Sequence, residues 1–267
     1  MEEKYISEIR ENGIVKVENF LDSDELNSLS KIVAFYADPK NDPKIYFPVN
    51  IKTLIFKVLK LDFSRFFHSL EFWKLKDKKK LDNFAKLFFK KNVKLNFIDA
   101  YYSKRSQMAI LPWHTDQAYH GEKNIKNFNH PEKYFLKIFI YLTDVSANNG
   151  CMSYIPGSHK LGYLIRKAIY EKKIDYQPYW SLNDFTKILK DNLNFFENSS
   201  DPKLLKKFFN DVEDLENDDN NKNKNLFCYS AKAGSAVIFD EGGIHQGSKP
   251  QHNDRMVLRY LYGPEMI

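Results

Sequence analysis

His114 and Asp116 stand two residues apart in the segment Leu111-Pro112-Trp113-His114-Thr115-Asp116. In extended backbone, residues two apart point to the same side, so these two side chains can bind one ion together. A third donor must come from elsewhere in the chain. His245 qualifies: Gly242-Gly243 precede it and Gly247 follows, which lets other backbone or a ligand come close. Two imidazoles and one carboxylate on one face of an octahedral ion leave three adjacent positions open. That arrangement suits non-haem Fe(II) and oxygen chemistry. Zn²⁺ accepts the same ligands, but room for a chelating cosubstrate favours iron. A His-x-Asp pair alone is common in solvated loops, so further residues must carry the weight.

Arg255 adds some. It follows His245 after a turn through Pro250 to Asp254, which would place it on a neighbouring strand near the metal. A guanidinium inside a barrel can hold a carboxylate by paired, charge-assisted hydrogen bonds. The distal carboxylate of a dicarboxylic 2-oxo acid needs such an anchor. The competing reading pairs Arg255 with an acid such as Asp254 or Asp240. Arg259 shares its strand face and is the rival anchor, with Arg255 preferred.

These residues need a scaffold, and the sequence outlines one. A helix is expected from Glu2 to Glu11, stopped at Asn12-Gly13, then a short strand at Ile14 to Val17. A second helix follows the N-cap candidate Ser23, with Leu26, Leu29, Ile32, Val33 and Tyr36 at helical spacing. Residues from about 51 to 91 are helical in period, broken by a solvated turn at Lys76 to Lys80. From Val93 the pattern alternates like a strand. Similar runs lie at Tyr134 to Leu142, Cys151 to Ile155, Phe227 to Ser230, Ser235 to Phe239, Ile244 to Gln246 and Met256 to Tyr262. Many short strands between Gly, Pro and Asn turns predict a sandwich or barrel. A Lys- and Asn-rich stretch, 163–225, interrupts them with helical candidates at Leu164 to Lys172, Leu182 to Leu193 and Lys203 to Phe209, and ends in a mobile loop. The expected organisation is one domain over 1–267, with N-terminal helices over about 1–92 and a helical insertion over about 163–225.

Composition narrows the classes. The 267 residues carry 41 Lys and Arg against 35 acids, a net charge of +6, but the excess is scattered lysine. Nucleic-acid binding would prefer a basic cluster on one face. With 43% hydrophobic and 15% aromatic residues, the chain can fill a core, which excludes disorder for most of it. No run of about eighteen apolar residues exists to span a membrane. The charged N-terminus does not resemble a signal peptide. Two cysteines, Cys151 and Cys228, cannot make a disulfide framework, and both are expected to be buried, unpaired strand residues of a cytoplasmic protein.

In combination, several motifs resemble the phytanoyl-CoA dioxygenase (PhyH-like) family of Fe(II)- and 2-oxoglutarate-dependent oxygenases. They are Trp113-His114-Thr115-Asp116-Gln117-Ala118-Tyr119, then Asn148-Asn149-Gly150-Cys151-Met152-Ser153-Tyr154-Ile155-Pro156-Gly157-Ser158-His159. Gly234-Ser235-Ala236-Val237-Ile238-Phe239-Asp240, His245-Gln246-Gly247-Ser248 and Arg255 complete the set, and Gly13 to Leu21 is similar to the family's opening. The resemblance runs from about residue 10 to 262, leaving out 40–90 and 163–225.

It implies a mainly β fold with flanking helices, built on a double-stranded β-helix (jelly-roll, cupin-like) core. Iron would be held by His114, Asp116 and His245, and the distal carboxylate of 2-oxoglutarate by Arg255. Tyr102, Phe139 and Ser248 fall where family members line the cosubstrate pocket. O2 and 2-oxoglutarate would be consumed, with release of succinate and CO2, as a C–H bond of a small-molecule metabolite is hydroxylated. Related halogenases lack the carboxylate that Asp116 provides, which favours hydroxylation or another oxidation here. Gln117, Tyr119 and His120 follow the metal loop and are placed to reach substrate. His159 is expected to be structural, and His68, His130 and His252 to be surface residues. A jelly-roll binding module without catalysis, or an oxygenase acting on a macromolecule, are the alternatives. The Lys-rich surface would attract an anionic substrate. Neither nucleic acid nor membrane is expected as a partner, and the oligomeric state is open.

Overall fold

The computed structural model describes residues 2–37, 44–49, 63–116, 134–175, 180–218 and 226–264. Helix α1 (Glu2–Asn12) ends where Gly13 takes a φ of +84°, a left-handed stop that glycine adopts at little cost. The chain turns directly into β1 (Ile14–Val17). Helix α2 (Ser23–Tyr36) is capped by Asp22, one residue ahead of the expected Ser23. Asp22 accepts from the Glu25 N–H, and Glu25 accepts from the Asp22 N–H, a reciprocal capping box that a serine at 23 cannot complete.

The remaining N-terminal elements are β2 (Lys44–Phe47), α3 (Phe63–Lys78) and α4 (Leu81–Phe89). Strand β2 falls within the stretch of about 1–92 expected to carry N-terminal helices. Residues 51–62, the first part of the expected helical stretch, lie outside the described residues. The β-rich region then runs β3 (Lys94–Ser103), β4 (Leu111–Thr115), β5 (Leu136–Tyr141) and β6 (Met152–Tyr154). After it come α5 (Ser158–Tyr170), β7 (Trp180–Ser181), α6 (Leu182–Asp191), α7 (Leu193–Ser199) and α8 (Pro202–Asp218). The chain closes with β8 (Cys228–Tyr229), β9 (Ala236–Asp240), β10 (His245–Gly247) and β11 (Arg255–Gly263).

Among the described residues, the strands form two antiparallel sheets in the orders β1-β9-β5-β11-β3-β2 and β7-β4-β10-β6-β8. Strands remote in sequence lie side by side, as a jelly roll requires. Alternation along the larger sheet separates two environments. Leu136, Ile138 and Ile140 of β5 and Leu258, Tyr260 and Tyr262 of β11 pack outward against α1–α4. Phe139 and Tyr141 of β5 and Val257 of β11 join the core between the sheets. Helices α5–α8 gather around Trp180, Phe185, Phe196 and Phe208 and back the smaller sheet through Ile155 and Ile244. The stretch 163–225 is not wholly helical: β7 pairs with β4, so it adds an edge strand beside His114.

The cysteines need a correction. Cys151 and Cys228 are joined as a disulfide, not held as separate thiols. Pairing of β6 with β8 puts Ser153 opposite Cys228 and brings together residues 77 positions apart. Sequence spacing cannot reveal that, because it is set by strand order. Among the described residues, no helix is long and apolar enough to cross a membrane.

Candidate metal centre

Strands β4 and β10 are neighbours, and their register places His245 directly opposite His114. The two imidazoles therefore leave adjacent strands on the same face, with ring centroids 4.6 Å apart. A backbone carbonyl, which only accepts, sits against Nδ1 of each ring. Pro112 O is 2.6 Å from His114 Nδ1, and Gly243 O is 2.9 Å from His245 Nδ1. Nδ1 must carry the proton in both, leaving the Nε2 lone pairs directed at the site. Glycine at 243 is a steric requirement, since a Cβ there would lie 2.0 Å from the Tyr154 hydroxyl.

Asp116 stands just past β4, its N–H donating to Glu241 O at 3.3 Å. Its Oδ2 lies 2.8 Å from His245 Nε2 and its Oδ1 lies 3.8 Å from His114 Nε2. The three donor atoms lie within 4.8 Å of one another, a spacing at which they could hold a metal ion. Burial pushes the pKa of His245 down and favours the neutral ring that binds metal. Burial works against the Asp116 carboxylate, but Lys137 and the two histidines outweigh it and hold the carboxyl well below its usual range. Asp116 and His245 are thus both favoured in their ligating forms.

The donors line a cavity of about 470 Å³ between the sheets, shared with Lys137, Phe139, Arg255 and Arg259 of the larger sheet. The two arginines differ sharply. Arg259 is locked to Asp99 by two hydrogen bonds, Nε to Oδ1 at 2.7 Å and Nη2 to Oδ2 at 2.5 Å. Arg255 is 4% exposed, and among the described residues no carboxylate pairs with it. Its Nε has no hydrogen-bond partner, and its guanidinium lies 5.6 Å from the centroid of the Tyr141 ring. Burial lowers its pKa, opposed by the Tyr141 hydroxyl beside it. The suggested partners are engaged elsewhere: Asp254 accepts from Tyr102 and the Arg105 N–H, and Asp240 from the Gly242 N–H. A buried, unmatched guanidinium across the cavity from three metal donors fits a carboxylate ligand that also chelates the ion.

Phe139 lines the cavity, whereas Tyr102 and Ser248 do not. The period of two explains both. On β3 it is Phe97, Asp99 and Tyr101 that face inward, while Tyr102 packs on the opposite face and donates to Asp254 at 3.1 Å. At the end of β10 it is Gly247 that borders the cavity, while Ser248, just beyond, lies 3.7 Å from Cys151 Sγ and lines a separate cleft. Gln117, Tyr119, His120 and His130 lie outside the described residues. His159 Nε2 donates to Arg10 O at 3.2 Å, as suits a structural histidine. His68 Nδ1 is 2.8 Å from the Tyr36 hydroxyl, and His252 is exposed. The sequence reading missed Lys137, Glu241, Asp99 and Tyr101. A signal was present for Lys137: it is the one charge in the apolar run Phe135 to Leu142.

The family model for phytanoyl-CoA dioxygenase (PhyH) matches residues 9–256 of this chain. No curated protein matches it. Among solved structures, the epimerase SnoN in complex with Fe3+, alpha ketoglutarate and nogalamycin RO superposes with a TM-score of 0.54 at 12% identity, covering 98% of this chain and 83% of its own. EvdO2 from Micromonospora carbonacea var. aurantiaca, complexed with 2-oxoglutarate, gives 0.53 at 14% identity over 98% and 90% of the two chains. HygX from Streptomyces hygroscopicus, with nickel and 2-oxoglutarate bound, gives 0.51 at 14% over 99% and 87%. At such identities the likeness establishes a shared fold.

Proposed function

The chain belongs to the phytanoyl-CoA dioxygenase (PhyH) family, and from that premise we propose that it hydroxylates a small-molecule metabolite, releasing succinate and CO2. Its class is that of an Fe(II)- and 2-oxoglutarate-dependent oxygenase. One observation carries the assignment of roles: three convergent metal donors face a buried arginine that pairs with no carboxylate among the described residues.

In this reading His114, Asp116 and His245 hold the ion, and Arg255 takes the distal carboxylate of 2-oxoglutarate. The iron and cosubstrate supply the oxidising chemistry when bound. The protein supplies position and dryness. The Pro112 and Gly243 carbonyls fix the ring orientations of the two histidines. Asp99 withdraws Arg259 from competition, which leaves Arg255 as the open one of the two arginines described at the cavity. Phe139 and Leu261 contribute apolar wall that excludes water from the reacting centre. Lys44, about one-third exposed beside the cavity, is suited to draw in an anionic substrate.

Purified protein loaded with Fe(II) should convert 2-oxoglutarate to succinate when the right substrate is added, which a screen of anionic metabolites would reveal. His114→Ala should lose both iron and turnover. A variant that kept stoichiometric iron and full activity would sink the assignment.

A further inference from the structure

Lys137 is the second residue of β5, between Leu136 and Ile138, both fully buried, and is itself 4% exposed. Lysine is seldom buried unless paired, and Lys137 is paired twice. Its ammonium donates to Asp116 Oδ2 and lies 3.3 Å from Glu241 Oε2. Glu241 is fully buried, and it also holds the metal segment through its backbone. Its carbonyl accepts from the Asp116 N–H at 3.3 Å and from the Thr115 hydroxyl at 3.1 Å. The two oxygens of Asp116 are therefore unlike: Oδ2 carries the lysine, and Oδ1 does not.

A carboxylate can give a metal one oxygen or two. A 2-oxo acid chelates through two adjacent open positions, so every extra carboxylate oxygen on the ion removes a place it needs. We propose that Lys137, braced by Glu241, is a positioning residue that limits Asp116 to one donated oxygen. The ammonium does so by occupying Asp116 Oδ2. This inference rests on the metal reading of His114, Asp116 and His245.

The test uses the full chain, loaded with Fe(II) without oxygen, and needs no turnover. A 2-oxo acid chelating Fe(II) produces a visible charge-transfer absorption, and titrating it gives a Kd for 2-oxoglutarate. Lys137→Met keeps the chain length and drops the charge. It should bind Fe(II) yet raise that Kd by about 10- to 100-fold, the range found when a metal ligand loses its supporting partner. Lys137→Arg should recover most of the loss. An unchanged Kd in Lys137→Met overturns the proposal. So does failure of that variant to take up Fe(II), because the lysine would then be needed to hold the ion and not to keep positions open. Should Lys137→Met not fold, Glu241→Gln gives the same readout: a smaller rise in Kd is expected, and none overturns the proposal. Failure of the underlying metal reading looks different, since the unaltered protein would then take up no Fe(II) at all.

Discussion

The metal donors His114 and His245 come from β4 and β10 of the smaller sheet, five and three residues long. The cations facing them come from β5 and β11, six and nine residues long, at the centre of the larger sheet. On the short strands, position is fixed locally: the histidines are register partners, and each ring is held by a carbonyl two residues before it. On the long strands, position is regular, and identity of role comes from the strand alongside. Arg255 and Arg259 share one face of β11, but β3 places Ser103 opposite the first and Asp99 opposite the second. The same residue type, four positions apart, is buried without a carboxylate partner among the described residues in one case and is half of an internal ion pair in the other.

Breaking that pair should have the largest effect. Asp99→Ala leaves Arg259 buried with its carboxylate removed, which should cost about 3–5 kcal/mol of stability. Urea unfolding would measure it, and a loss below about 1 kcal/mol would show that Asp99 and Arg259 are not matched as described. Arg255→Ala should do the reverse. Charge-assisted hydrogen bonds contribute about 1.5–3 kcal/mol each, so losing two should raise the KM for 2-oxoglutarate by about 100-fold or more while stability stays close to that of the unaltered protein. If Arg259 variants carried the KM effect and Arg255 variants the stability effect, the two roles would be exchanged.

A histidine away from the metal face serves as a control. Burial pushes the pKa of His159 on α5 down to about 4 from an ordinary 6.5. A depressed folded value means that its contribution to stability is whole above pH 6.5 and is lost as pH falls toward about 4. Asp240 acts in the opposite sense. Burial raises its carboxyl from 3.8 to about 6, so its contribution is whole below pH 3.8 and lost as pH rises toward about 6. The two slopes oppose each other across one window. His159→Gln should therefore gain stability relative to the unaltered protein as pH falls from 6.5 to 4, read by denaturant titration across that range. Parallel pH profiles would exclude His159 as a titrating group there.

Much of the site was legible in the chain. His114 and Asp116 were readable because both the alternation of extended backbone and the ligating chemistry are local. The strands from Val93 onward were readable because their apolar residues alternate and their turns carry Gly, Pro and Asn. Strand β2 and strand β7 were not: Lys44–Phe47 and Trp180–Ser181 are too short to show a period, and both owe their conformation to pairing with β3 and β4. Tyr102 and Ser248 show the cost of placing residues by position in a motif. A shift of one residue reverses the face of a strand, so Tyr101 and Gly247 border the cavity in their place.

What the sequence determined unaided was the set of chemical parts: two histidines and an aspartate able to hold one ion, two arginines on one strand face, and apolar alternation enough for a sandwich or barrel. Those follow from residue type and from spacings of a few residues, which backbone geometry converts directly into direction. Only the tertiary structure decided how the parts are partnered. Asp99 reaches Arg259 across 160 positions of chain, Cys151 reaches Cys228 across 77, and Lys137 finds Asp116 and Glu241 where the two sheets face each other. Strand order and register set those meetings, and they alone decide which buried charge is spent on another and which stays open for a ligand.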